Sequence, residues 1–121
     1  MACILIIDDE PQLLNMLAQT LEREGYDIVK ASNGKEGIRL CRENPVDLII
    51  TDIIMPEKEG IETIFELRKE FPDLKIIAIS GGGRIEPEEY LDIAKKIGAQ
   101  RTFAKPVARE DLINAVRELL G

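Results

Sequence analysis

Whatever chemistry this chain performs falls to carboxylates, one lysine and a hydroxyl. The sequence has no histidine, which removes imidazole both as a general base and as a metal ligand. Its two cysteines, Cys3 and Cys41, lack the CxxC spacing of a zinc or redox site. The remaining candidates sit at the ends of apolar runs: Asp8, Asp9 and Glu10 after the first, Asp52 after another, Ser80 with Gly81, Gly82 and Gly83 after a third, and Lys105 before Pro106. Taken singly, each has an ordinary explanation. Asp8 to Glu10 would suit the positive N-terminus of a helix, a benefit of ~1 kcal/mol; Asp52 could be a turn residue, Ser80 a loop hydroxyl and Lys105 a solvated charge. Taken together they point elsewhere. Carboxylates of Asp8, Asp9 and Asp52 gathered within ~5 Å would repel by ~3 kcal/mol per pair at an effective dielectric of about 20. Lys105 could offset one charge and a divalent cation two more. An all-oxygen donor set favours a hard ion, and few protein ligands with room for phosphate favour magnesium over calcium.

A metal beside a carboxylate, a lysine and a hydroxyl has the parts for phosphoryl transfer to that carboxylate, a reaction in which the protein mainly positions groups and stabilises charge. Asp52 would be the nucleophile and would become an acyl phosphate. Asp9 and Asp52 would hold Mg2+ directly, with Asp8 acting through water. Lys105 would pair with a second phosphoryl oxygen, and Ser80 with the Gly81 backbone N–H would bind a third. The glycines Gly81 to Gly83 would let the backbone approach closely.

The elements that must deliver these residues follow from the hydrophobic pattern. Short β-branched runs alternate with segments of helical period, which predicts an α/β domain with a doubly wound parallel sheet. The strand candidates are Cys3 to Ile7, Tyr26 to Ala31, Leu48 to Thr51, Lys75 to Ile79 and Arg101 to Phe103. The first, third and fourth are nearly continuous Ile, Leu and Val, as in central strands covered on both faces. A first helix is expected from Pro11 to a stop at Gly25, with Leu13, Leu14, Leu17 and Leu21 as its stripe. A second runs from about Gly34 to Asn44, a third carries Ile61, Ile64, Phe65 and Leu67, a fourth spans about Pro87 to Ile97, and a fifth spans about Arg109 to Leu120. In such sheets ligands bind outside the carboxyl ends of the strands, which is where Asp8, Asp9, Asp52, Ser80 and Lys105 fall.

The bulk properties narrow the setting. The 121 residues, 45% of them hydrophobic, fit one domain over residues 1–121 that buries roughly two thirds of its unfolded surface. A formal charge of -7 lacks the basic stripe that nucleic-acid phosphates require, so proteins and metal ions are the expected partners. No apolar run approaches the ~18 residues of a membrane span, and no signal peptide is recognisable. Cys3 and Cys41 read as reduced thiols in or near the core, consistent with a cytoplasmic protein.

Four pieces of the sequence, in order and spacing, resemble the response-regulator receiver domain of two-component systems: IIDDEP, DLIITDIIMPEKEGIE around Asp52, IIAISG, and GAQRTFAKP. The resemblance covers essentially the whole chain. It implies a flavodoxin-like (βα)5 fold with strand order 2-1-3-4-5, a backbone carbonyl of Ile54 in the metal shell, and a Lys105–Pro106 peptide that can be cis. It also implies a phosphorylation-dependent switch rather than an enzyme with turnover, with only self-directed phosphotransfer and dephosphorylation. The donor would be a histidine kinase or histidine phosphotransfer protein. The recipient of the signal would be an effector protein or a fused output domain. A possible homodimer or effector surface would involve the fourth helix, fifth strand and fifth helix, with Lys95, Lys96, Arg101 and Arg109. Because the pattern of the fifth helix reaches Gly121, the sequence offers no output domain, and either a single-domain regulator or a receiver from a longer protein is consistent with it.

Two features depart from the family. The aromatic residue usually found three positions before the lysine is replaced by Thr102, and Phe103, one place on, should face the opposite side of the sheet. The stretch from Ser80 to Gly98 is about three residues longer than usual, and such a loop would be a candidate for ordering on phosphorylation. Glu57, Lys58 and Glu59 read as a solvated loop. Two other function classes fit the residues less well. An aspartate-nucleophile phosphatase would need DxD where this chain has adjacent aspartates. A flavodoxin-type cofactor binder would need a hydroxyl-rich loop where Asp8 to Glu10 would repel phosphate. A degenerate receiver acting as a plain interaction module is the remaining alternative.

Overall fold

The computed structural model describes residues 2–53, 60–80, 92, 95–96 and 98–120. Its strands are β1 (Cys3–Ile7), β2 (Asp27–Ala31), β3 (Leu48–Asp52), β4 (Lys75–Ser80) and β5 (Arg101–Ala104). They form one parallel sheet in the order β2-β1-β3-β4-β5. The helices among the described residues are α1 (Pro11–Arg23), α2 (Gly34–Glu43), α3 (Gly60–Glu70) and the C-terminal α4 (Arg109–Leu120). The helix expected from Pro87 to Ile97 lies mostly outside the described residues; Asp92, Lys95 and Lys96 within it are helical and exposed.

Alternation along the strands divides the core in two. Ile4, Ile6, Leu48, Ile50, Ile77 and Ile79 pack under α1 and α4 against Leu14, Leu17, Leu21, Leu112 and Val116. Leu5, Ile7, Ile49, Ile76 and Ala78 pack on the other face against Ile38 and Cys41 of α2 and Ile64 and Leu67 of α3. Burying both faces explains why β1 and β3 contain no exposed residue. Each fully buried aliphatic side chain contributes roughly 1.5–3 kcal/mol of transfer free energy. Cys3 and Cys41 are free and buried. Burial is the main reason that both thiols titrate above their ordinary range, Cys41 at about 11, so neither is a ready nucleophile.

Local signals fix the helix ends. Pro11 occupies the first turn of α1, where its missing N–H costs nothing. Gly25 follows that helix with φ 96, a conformation that strains other residues. Asn33 caps α2 by accepting the Glu36 N–H at 2.8 Å, and the Glu36 carboxylate accepts the Ser32 N–H at 3.2 Å.

Phe65 is 59% exposed, because α3 meets the sheet through Ile64 and Leu67 and a rotation of about 100° per residue carries Phe65 off that face. Strand β2 begins at Asp27, one residue later than expected, and Tyr26 is half-buried against the core under α1 and α4. Strands β3, β4 and β5 each run one residue further, so that Asp52 and Ser80 are ladder residues, paired with Ile79 and Ala104.

The N-terminus of α3 presses directly on the end of β3. Gly60 donates its N–H to the Ile53 carbonyl at 3.0 Å, and a Cβ there would lie 2.2 Å from Ile53 Cα and 2.3 Å from the Asp52 carbonyl oxygen. Backbone atoms inside a sheet cannot yield to it. Gly60→Ala is therefore expected to lower unfolding free energy by about 2 kcal/mol, measured by urea denaturation; a change below about 0.5 kcal/mol would show that α3 can retreat freely.

Candidate functional site

The carboxyl ends of the three central strands carry the polar groups of the site. Asp8 follows β1 and is fixed there by its N–H, which donates to the Ala31 carbonyl at 3.1 Å. Its side chain accepts the Glu10 backbone N–H at 2.9 Å. Asp52 ends β3, and the next residue, Ile53, donates its N–H to the Ile79 carbonyl at 3.0 Å. Asp8 and Asp52 are buried, at 2% and 5% exposure, and Asp9 is exposed. One carboxylate oxygen from each of Asp8, Asp9 and Asp52 lies within 4.8 Å of the others.

Lys105 enters this acidic group from the loop after β5. Its backbone N–H donates to the Ser80 carbonyl at 2.7 Å, and its peptide bond to Pro106 is cis, as the resemblance implied. The ammonium Nζ lies 2.9 Å from Asp52 Oδ2 and 3.5 Å from both Asp8 Oδ2 and Glu10 Oε1. The electrostatics follow from this geometry. Burial alone would lower the Lys105 pKa, but the hydrogen bond to Asp52 and the charges of Asp52, Asp8 and Glu10 outweigh it and raise the value. Asp8 is pushed up to about 6, chiefly by burial and further by the charges of Asp52 and Glu10. The Glu10 N–H and Lys105 pull it the other way.

Ser80 sits at the end of β4, fully buried, and its Oγ has no hydrogen-bond partner among the described residues. A buried hydroxyl without a partner costs about 1–3 kcal/mol, so this atom is a donor in search of an acceptor at the strand ends. Ile54 and Gly81, expected as a carbonyl ligand and an N–H donor, lie outside the described residues. So do Gly82, Gly83 and Pro87 of the long loop and Glu57 to Glu59.

The donor set fits a hard divalent cation. It is made of carboxylate oxygens only, two of the three residues are buried, and three carboxylates this close together would be relieved by a dication. With so few protein ligands, coordination positions remain for water or phosphate, which suits magnesium.

Two residues are clarified by the geometry. Phe103 pairs with Ile79 and packs against the core under α1 and α4, whereas its neighbour Thr102 pairs with Ala78 and so points to the opposite face. Phe103 is therefore a core residue and does not take over the place of an aromatic at position 102. Glu10 was read from the sequence as a helix-terminal acid. Its side chain makes no cap bond and instead approaches Lys105. The one sequence signal for this was a third acidic residue in direct succession to Asp8 and Asp9.

Comparison with known proteins agrees with this geometry. The family model of the response regulator receiver domain matches residues 4–117. The chain is 34% identical over 119 residues to the transcriptional regulatory protein GlrR of Escherichia coli (strain K12), covering 98% of this chain and 26% of that protein. It is 31% identical over 123 residues to Protein PilH of Pseudomonas aeruginosa, covering 100% and 99%. Among solved structures it is similar to the response regulator protein TrrA of Thermotoga maritima in complex with Mg2+ and BeF, with a TM-score of 0.87 at 33% identity, covering 98% of this chain and 99% of that one. The chain thus spans about a quarter of the length of GlrR and nearly all of PilH. With a parallel 2-1-3-4-5 sheet, an aspartate cluster at its carboxyl edge and a family match over nearly its whole length, the chain belongs to the response regulator receiver domain family.

Proposed function

We infer that this domain is a phosphorylation-dependent signalling switch whose phosphoacceptor is Asp52. The observation that carries the reading is the buried Asp52 carboxylate held 2.9 Å from the Lys105 ammonium, beside two further aspartates. The magnesium and beryllium fluoride of the TrrA structure support the same chemistry for this site.

An Asp52 oxygen attacks the phosphorus of a phosphohistidine on a histidine kinase or phosphotransfer protein, or of a small acyl phosphate. The new O–P bond forms as the donor's bond to phosphorus breaks and its electron pair goes to the leaving nitrogen or oxygen. Lys105 exchanges its bond with Asp52 for one to a phosphoryl oxygen, keeping a cation against the developing charge. Ser80 Oγ, which has no partner among the described residues, donates to another oxygen, and the Gly81 N–H would join it. Asp9 and Asp52, with Asp8 and the Ile54 carbonyl, would hold magnesium, which would supply positive charge for the third oxygen. Hydrolysis by water regenerates the Asp52 carboxylate and releases inorganic phosphate, so any catalysis is directed at the domain itself. Downstream, the altered strand ends would change the surface around Lys95, Lys96, Arg101 and Arg109, exposed on or beside β5 and α4. That surface would meet an effector, a fused output domain or a second copy. The net charge of -7 disfavours nucleic acid as a partner, and no helix among the described residues is long and apolar enough to cross a membrane. A cytoplasmic setting fits both features and the free cysteines.

The electrostatic strain at Asp8 has a definite pH signature. Its folded pKa of about 6 lies above the 3.8 of an ordinary aspartate, so the fold disfavours its ionised form. The cost is fully present above about pH 6 and is relieved as pH falls towards 3.8, where the unfolded chain also takes up the proton.

Incubation with acetyl phosphate and magnesium is expected to add one phosphoryl group by intact mass, and Asp52→Asn should abolish the gain. An equal gain in the variant would place the acceptor elsewhere. In the absence of metal, Asp8→Asn is expected to stabilise the domain by about 2–3 kcal/mol near pH 7.5, with the gain vanishing near pH 4. Urea denaturation across that range provides the check, and a gain independent of pH would contradict the assigned titration.

A further inference from the structure

Glu10 stands at the mouth of the site in a position that its helix does not require. As the residue preceding α1, it leaves its side chain out of the capping pattern. Its carboxylate is 65% exposed yet lies 3.5 Å from Lys105 Nζ, and Lys105 itself is only 17% exposed. Lys105 therefore has two buried carboxylate neighbours, Asp8 and Asp52, and one that faces solvent.

The charge balance gives this position its consequence. Among the described residues, Asp8, Asp9, Asp52 and Glu10 set four carboxylates against one ammonium, that of Lys105, an excess of three negative charges within this group. A bound dication would still leave the mouth one charge negative, and that remaining charge equals the contribution of Glu10. A donor arriving as a free dianion meets this charge directly. A phosphohistidine on a protein surface can arrive with cationic side chains of its own protein beside it, and these can pair with Glu10 while the phosphoryl group reaches Asp52. Field effects of this kind act mainly on encounter rates and are weakened by salt.

We propose that Glu10 is a donor-specificity residue, whose exposed carboxylate beside Lys105 disfavours small dianionic phosphodonors and favours a phosphohistidine presented on a cationic protein surface. This rests on the reading of Asp52 as phosphoacceptor. It assigns Glu10 a role that depends on its charge, distinct from a mere structural tether of the lysine, because a tether would serve all donors alike.

The test compares phosphorylation rates of the wild type, Glu10→Gln and Glu10→Asp with two small donors, dianionic acetyl phosphate and phosphoramidate, whose net charge is about -1 at neutral pH. Glu10→Gln is expected to speed reaction with acetyl phosphate roughly three- to tenfold at low salt, and phosphoramidate by less. The difference should shrink as ionic strength rises past the range where the Debye length is about 10 Å. Glu10→Asp, which keeps the charge, should retain the wild-type ratio between donors. An unchanged ratio in Glu10→Gln, or an equal slowing with both donors, would overturn the proposal while leaving Asp52 as acceptor. A wild type that accepts phosphate from neither donor and from no histidine kinase would overturn the underlying reading, and this proposal with it.

Discussion

Like charges held close together in a largely buried place govern this domain. At separations up to 4.8 Å and an effective dielectric of about 20, each pair of carboxylates repels by roughly 3 kcal/mol, a sizeable fraction of the 5–15 kcal/mol that keeps a domain folded. The hydrophobic layers on either face of the sheet must absorb that cost. They do so by making β1, β3 and β4 almost wholly aliphatic, so that the acidic residues appear only where the strands end. The backbone ladder then leaves no freedom for them to separate. Asp8 and the residue after Asp52 are each fixed by a hydrogen bond to a neighbouring strand.

Lys105 is the counterweight. It reaches the site from the far edge of the sheet, and its backbone bond to Ser80 makes its position depend on β4. The same contact links Asp52, through Lys105, to the strand end at which the Ser80 hydroxyl has no partner among the described residues. Phosphorylation would replace the Lys105–Asp52 bond with contacts from Lys105 and Ser80 to one phosphoryl group, so the ends of β3, β4 and β5 would be drawn to a common point. The phosphoryl group would add negative charge to the site, so the switch would depend on Lys105, Ser80 and a bound cation offsetting that charge at the strand ends. Thr102 and Phe103 face opposite sides of the sheet, and Phe103 belongs to the core under α1 and α4.

Most of the fold was legible in the sequence because its two periodicities are strong. The aliphatic runs of β1, β3 and β4 identify a doubly covered sheet, Pro11 and Gly25 bracket α1, and the strand-end location of Asp8, Asp9, Asp52 and Lys105 follows from the parallel arrangement. In α3 the sequence shows which residues are apolar but not which of them meet the sheet; helical geometry buries Ile64 and Leu67 and leaves Phe65 exposed. The buried Ser80 hydroxyl without a partner and the approach of Glu10 to Lys105 were not legible. Both depend on side-chain placement in three dimensions, which residue type and spacing do not encode.

The central claim is that the phosphoryl group resides on one carboxylate. An acyl phosphate is reduced by borohydride to an alcohol, which converts the modified aspartate to homoserine and leaves unmodified carboxylates untouched. After reaction with acetyl phosphate and magnesium, reduction and peptide sequencing by mass spectrometry should find homoserine at position 52 alone. Homoserine at position 8 or 9, or none in a sample whose intact mass shows phosphorylation, would contradict the account.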